Sequence, residues 1–131
     1  RLFSLFSPSK PFFPIDGSTV SRDPEEVRRY NEDPLNTRSA IPARSIAELL
    51  DRLAWLPAGY PALSLPLMVM HGTADTLALP AGGKRVHDEA GSKDKTLKLY
   101  EGYYHEIFNE PPADRERVFA DLLGWIAARS K

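Results

Sequence analysis

Asp75 and His105 are the two residues of this chain whose types and spacing could do chemistry together. Each follows a predicted strand, Leu65–Met70 for the aspartate and Lys95–Tyr100 for the histidine. The interval between them holds one helix and one strand, so both are predicted to follow the carboxyl ends of neighbouring parallel strands, where ligands bind in open α/β sheets. An aspartate that orients a histidine, which in turn serves as base for a nucleophile, is the chemistry open to such a pair. Each residue alone also fits a structural role, the aspartate in a turn that bonds its own backbone and the histidine packed on neighbouring tyrosines.

The elements that would position this pair follow from apolar periodicity. Leu65–Met70 has no alternation and is typical of a strand covered on both faces, whereas Lys95–Tyr100 alternates. A helix is predicted from Pro80 to Ala90, between the strands, and another between Pro112 and Arg129. Strand, helix, strand, helix indicates a right-handed parallel βαβ unit with a further covering helix. Because two strands leave sheet edges uncovered, we interpret this part as the end of a larger doubly wound sheet.

The first half of the chain is irregular and rich in proline. Asp23 can cap a helix that starts at Pro24 and ends near Asn31. Ser45–Glu48 has the pattern of a capping box and predicts the start of a second helix, which ends near Trp55. The apolar stripe of that helix consists of Ile46, Leu49, Leu50 and Leu53.

Composition argues against several function classes. A net charge of −1 gives no electrostatic reason to expect nucleic acid as a partner. Without cysteine the chain has no disulfide framework and no thiolate metal site, which fits a cytoplasmic setting. His71, Asp75 and His105 do not form a recognised metal-binding spacing, and no metal or cofactor is predicted. Since the chain begins with Arg1 and not with methionine, we expect it to start inside a longer protein.

Two runs carry a resemblance to a known family. They are P-L-M-V-M-H-G-T-A-D over Pro66–Asp75 and D-K-T-L-K-L-Y-E-G-Y-Y-H over Asp94–His105. Both look like segments of monoacylglycerol lipases and the related serine-aminopeptidase-type α/β hydrolases. In the first half, Pro14–Arg22 and Tyr30–Leu35 are similar to that family's lid and to the segment that returns from it.

The resemblance implies an α/β fold class and a two-part organisation. Residues 63–131 would be the C-terminal portion of an α/β-hydrolase fold, a parallel βαβα unit, and residues 1–62 a proline-rich helical remnant of the lid or cap. Asp75 would be the triad acid and His105 the general base. The substrate would be a monoacylglycerol or lysophospholipid-type ester, with no cofactor, and the protein would be cytoplasmic or peripheral to a membrane that it contacts through the lid. The residues that resemble substrate-binding positions are Tyr30, Ile46, Leu49, Leu50, Leu53 and Leu77.

The chain departs from the family pattern at the nucleophile. It contains no G-x-S-x-G elbow and no oxyanion motif ahead of one. We therefore expect the nucleophilic serine and the N-terminal half of the fold to lie outside this chain, and the fragment alone to be inactive. Two alternatives stay open: another α/β-hydrolase activity, such as an esterase or peptidase, and a non-catalytic truncated module that binds a lipid or a partner.

Overall fold

The structure, a computed structural model, describes residues 6–13, 15–36 and 40–130. Its α-helices are α1 (Pro24–Glu32), α2 (Ala43–Trp55), α3 (Pro80–Glu89) and α4 (Pro112–Ala127). Its strands are β1 (Pro11–Phe13), β2 (Ile41–Pro42), β3 (Leu67–Gly72) and β4 (Lys95–Tyr100). Short 3-10 helices lie at Gly17–Thr19, Leu56–Ala62 and Ile107–Asn109. None of the helices described is both long and apolar enough to cross a membrane.

The second half folds as the predicted parallel βαβ unit followed by a helix. β3 and β4 pair in parallel with one continuous register, from Leu67 opposite Lys95 to Gly72 opposite Tyr100. α3 connects the two strands, and α4 follows β4 along the chain. Because Gly72 and Tyr100 end their strands side by side, the segments that follow them emerge at the same edge of the sheet. This is the arrangement that the sequence predicted for Asp75 and His105.

β3 is less buried than its apolar sequence led us to expect. Leu67 to His71 are all half-buried, and Leu65, just before the strand, is 79% exposed. In the described ranges β3 pairs with β4, and its other edge has no ladder partner there. Because the side chains from Leu67 to His71 stay half-buried, the prediction of a strand covered on both faces is not met.

The core lies between β4, the segment after it and α4. Tyr100, Tyr103, Ile107 and Val118 form the buried cluster, and the rings of Tyr100 and Tyr103 stack with centroids 5.3 Å apart. α4 buries Val118 fully, but other large apolar residues of this helix remain open to solvent. The exposed ones are Phe119, Leu123 and Ile126. The core thus fixes the segment after β4, where His105 lies.

The two helices of the first half begin in different ways. α1 starts as predicted, with Asp23 Oδ1 accepting a hydrogen bond from the Glu25 amide at 2.9 Å. α2 starts at Ala43, ahead of the predicted capping box, and no side chain caps it, so that prediction is wrong. The Ala43 amide instead donates to Lys10 O at 2.9 Å, and the Arg44 amide donates to Pro8 O at 3.0 Å. Backbone carbonyls near β1 therefore satisfy the first amides of α2.

Candidate active site

Asp75 lies in a tight loop directly after β3. Its Oδ1 accepts hydrogen bonds from the amides of Leu77 at 2.8 Å and Ala78 at 2.9 Å. The residue is only 4% exposed. The loop is also joined to the segment after β4, because the Ala74 amide donates to Tyr103 O at 3.0 Å. The turn role considered from sequence is thus real, but it occupies only one of the two carboxylate oxygens.

The second oxygen of Asp75 faces His105. The Nδ1 atom of His105 lies 2.8 Å from Asp75 Oδ2. An ionised carboxylate only accepts hydrogen bonds, so Nδ1 carries the proton and Nε2 is left as an acceptor. The His105 side chain is 42% exposed, so a reacting group can approach the ring. In this tautomer and orientation a histidine can act as a general base.

Gly72 allows the two loops to approach each other. A Cβ atom at this position would lie 2.3 Å from Tyr103 O and 2.4 Å from Tyr104 O. Any larger residue would therefore push the histidine segment away from the aspartate loop. Gly102 contributes the turn itself, since its φ of +76° suits glycine and its amide donates to Thr73 Oγ1 at 2.8 Å.

The surroundings of Asp75 keep it ionised. Burial opposes the charge, but hydrogen bonds from the amides of Ala78 and Leu77 and from His105 favour it. The bonds outweigh the burial, so the pKa of Asp75 lies below its ordinary value. A carboxylate in this state can orient His105 and stabilise the imidazolium that forms when His105 takes up a proton.

A second histidine, His71, which the sequence analysis considered only as a metal ligand, flanks the same carboxylate. Its Nε2 lies 2.7 Å from Ala78 O and 3.1 Å from Asp75 Oδ2. A carbonyl oxygen only accepts, so this nitrogen carries a proton and points at the aspartate loop. The ring packs closely on α3, where a Cβ at Gly83 would lie 3.0 Å from His71 Nδ1. The position of His71 at the end of β3, four residues before the acid, was the available signal.

An apolar cleft of about 540 Å³ opens next to His105. This volume falls in the range of small-molecule sites, about 300 to 1,000 Å³. The six residues assigned from the resemblance all line it: Tyr30, Ile46, Leu49, Leu50, Leu53 and Leu77. Lining residues that were not predicted are Ile15, Val20, Ile41 and Glu106. Glu106 could have been inferred as the neighbour of His105, whereas the others depend on how the first half folds onto the second.

The buried serines of the described chain are engaged elsewhere. Ser21 Oγ donates to Asn109 O at 2.6 Å, and Ser92 Oγ donates to Asp94 O at 3.0 Å. In the part of the chain that the structure describes, neither hydroxyl is hydrogen-bonded to His105. The His105 ring is hydrogen-bonded to Asp75 instead. The geometry thus places an aspartate–histidine pair beside an apolar cleft, and the two buried serines are not part of it.

Comparison with known proteins relates this chain to one family. The model of the family described as "Serine aminopeptidase, S33" matches residues 1–112. The chain is 36% identical to a monoacylglycerol lipase of Mycolicibacterium smegmatis, over 98% of this chain and 45% of that protein. It is 34% identical to the human monoglyceride lipase, over 99% of this chain and 43% of that protein. The chain therefore spans about half the length of the curated relatives it matches.

A solved structure agrees with these relatives. A soluble variant of the monoglyceride lipase from Saccharomyces cerevisiae, in complex with a substrate analogue, superposes with a TM-score of 0.82 at 28% identity. The match covers 98% of this chain and 47% of that chain. The fold of this chain thus matches about half of the fold of that monoglyceride lipase.

Proposed function

The chain belongs to the serine aminopeptidase S33 family of α/β hydrolases, and from that premise we propose that it supplies the acid and the base of a serine ester hydrolase. The observation that carries the proposal is the 2.8 Å contact between His105 Nδ1 and the buried Asp75 carboxylate, beside an apolar cleft. The nucleophilic serine belongs to a segment outside these 131 residues. On this view residues 1–62 are the remnant of the cap, and residues 63–131 are the C-terminal part of the catalytic core.

The reaction follows from the roles of the two residues. His105 Nε2 accepts the serine proton as the serine oxygen attacks the ester carbonyl, and then gives that proton to the leaving alcohol. An acyl-serine remains, and water activated by His105 releases the fatty acid. Asp75 keeps the proton on Nδ1 and stabilises the imidazolium in both halves of the reaction. No cofactor takes part in any of these steps.

The cleft supports a lipid ester as the substrate. Its lining is mainly aliphatic, with leucines from α2 and the aspartate loop, which suits an acyl chain. Tyr30 lines the same cleft, and on this proposal its hydroxyl meets the alcohol portion of a monoacylglycerol or lysophospholipid. Leu50 and Trp55 of α2 are 59% and 67% exposed, and α2 would provide the peripheral contact with a membrane.

A second candidate is a module that binds an acyl chain without cleaving it. The specific observation in its favour is that the 131 residues contain the cleft but no G-x-S-x-G elbow. In that case the Asp75–His105 pair would be a structural feature retained from an enzyme.

Hydrolysis of a long-chain monoacylglycerol by the protein, as its gene encodes it, separates the two candidates. We expect release of fatty acid that is lost in His105→Ala. His87→Ala is the matched control, because His87 lies on α3, away from the cleft, and should leave the rate unchanged. Binding of a fluorescent fatty acid in the cleft with no turnover would favour the binding module, and a rate unaffected by His105→Ala would rule out the proposed base.

A further inference from the structure

The backbone on both sides of His105 is fixed by groups outside its own loop. The Tyr104 amide, just before the histidine, donates to Glu110 Oε1 at 2.5 Å. The Glu106 amide, just after it, donates to Val20 O at 2.7 Å. The position of His105 therefore depends on one side chain that follows it and on one segment from the first half of the chain.

Glu110 is a buried carboxylate with a cation beside it. It is 0% exposed, and its Oε2 accepts hydrogen bonds from Arg22 Nε at 2.9 Å and from the Arg22 amide at 3.2 Å. The Arg22 guanidinium also pairs with Asp114 and lies 4.5 Å from the centre of the Tyr103 ring. A buried charge is costly in free energy unless it is paired and hydrogen-bonded, so the ion pair with Arg22 stabilises the buried carboxylate of Glu110.

The segment held by this ion pair reaches the cleft. Ser21 Oγ donates to Asn109 O at 2.6 Å and accepts from the Asp23 amide at 2.9 Å. Asp23 caps α1, the helix that carries Tyr30 on the cleft wall. The contacts thus form a continuous path from the cleft wall to Glu110 and from there to the amide beside His105.

We propose that Glu110 is a positioning residue for His105, and that its ion pair with Arg22 holds residues 20–23 against the segment that follows β4 and carries His105. The inference rests on the proposed role of His105 as the base. Glu110 acts through the Tyr104 amide and through Arg22, and it does not touch the substrate. By accepting the hydrogen bond from the Tyr104 amide, the Glu110 carboxylate fixes the backbone just before His105. The position of that backbone determines the distance from His105 Nδ1 to Asp75 Oδ2.

Glu110→Gln tests the inference, because the substitution keeps the shape of the side chain and removes its charge. In the protein as its gene encodes it, we expect kcat to fall by about 10²-fold, the cost of a catalytic group displaced by about 1 Å, with KM unchanged. The downfield NMR signal of the His105 Nδ1 proton should weaken, and the Tyr104 amide should exchange faster. Glu116→Gln removes the same charge from the exposed surface of α4 and should change none of these.

Glu110→Asp covers the case in which the glutamine variant does not fold. It keeps the negative charge, but it is one methylene too short to reach both Arg22 and the Tyr104 amide. A folded Glu110→Asp protein with reduced kcat and a weakened His105 signal would support the inference. A folded one with wild-type kcat and signal would assign Glu110 to stability alone and overturn it.

The NMR signal separates this inference from the proposed function. If the protein hydrolyses no ester, yet the His105 signal still depends on Glu110, the positioning role stands and the hydrolase proposal fails. If esters are hydrolysed and Glu110→Gln changes neither kcat nor the signal, the positioning role fails and the hydrolase proposal stands.

Discussion

Replacement of Asp75 by asparagine is the substitution whose outcome the geometry defines best. The side chain keeps its size, but one acceptor oxygen becomes an NH2 donor. In the wild-type protein Oδ1 accepts from the amides of Leu77 and Ala78, while Oδ2 accepts from His105. The proton on His71 Nε2, which lies 3.1 Å from Oδ2, is donated to Ala78 O at 2.7 Å and does not enter this count. Asparagine can satisfy one of these sides but not both.

The preferred orientation follows from counting bonds. With its carbonyl towards the loop, asparagine keeps the bonds from Leu77 and Ala78 and turns its NH2 towards His105. The opposite orientation leaves two backbone amides without an acceptor, at a cost of about 1–3 kcal/mol each. The first orientation should prevail, and a donor facing His105 Nδ1 forces the ring proton onto Nε2. A histidine in that tautomer cannot accept the proton of a serine, and kcat should fall by about 10⁴-fold.

The assay is steady-state hydrolysis of a monoacylglycerol by the protein as its gene encodes it, with the His105 tautomer read from ¹⁵N chemical shifts. Asp88→Asn is the matched control, since Asp88 lies on the exposed side of α3 and pairs with Lys84. Thermal unfolding of both variants shows whether the fold is kept. A folded Asp75→Asn protein with a kcat near that of the wild type would refute the assignment of Asp75 as the triad acid.

Three further outcomes follow from the same geometry. Leu53→Asn places an amide in the apolar cleft and should lower kcat/KM for long-chain esters by about tenfold, with short-chain esters little affected; equal losses on both would argue against an acyl site. Gly72→Ala inserts a Cβ 2.3 Å from Tyr103 O and should lower the free energy of unfolding in urea by about 1–3 kcal/mol; a wild-type midpoint would show that the loops can separate without cost. Because the pKa of Asp75 is lowered in the folded state, the ionised carboxylate should stabilise the fold above about pH 4, and this stabilisation should be lost as the pH falls further. In urea titrations at several pH values, Asp75→Asn should show a weaker dependence of the unfolding free energy on pH. An equally steep loss in the variant would contradict this assignment of the pH dependence to Asp75.

The second half of the fold could be predicted because its signals are local. An apolar run predicted β3, an alternating run predicted β4, and the segment from Pro80 to Ala90 predicted α3 between them. The structure has these elements in that order, with β3 and β4 paired in parallel. β3 spans Leu67–Gly72, so both ends of the predicted strand Leu65–Met70 were two residues too early. Its ladder begins where the Leu67 amide donates to Asp94 O at 2.9 Å. Pro66, just before it, has no amide proton to donate. The start of α2 was also misplaced, because the carbonyls that accept from its first amides belong to a segment distant in the chain.

The site was predictable only in part. Asp75 and His105 follow strands and stand out in the sequence, whereas the roles of His71 and Glu110 depend on contacts made after folding. Glu110 and Arg22 are 88 residues apart in the chain, and nothing in the local sequence of either indicates the other. The cleft residues came from the resemblance, because an apolar stripe on α2 alone does not show which of its faces stays open.

The most direct test of the central claim is to treat the protein, as its gene encodes it, with a fluorophosphonate probe and to identify the labelled serine by mass spectrometry. We predict that the label lies on a serine outside these 131 residues, and that His105→Ala and Asp75→Asn both suppress labelling. A label on a serine within the 131 residues, abolished by changing that serine to alanine, would contradict the view that this chain supplies the acid and the base but not the nucleophile.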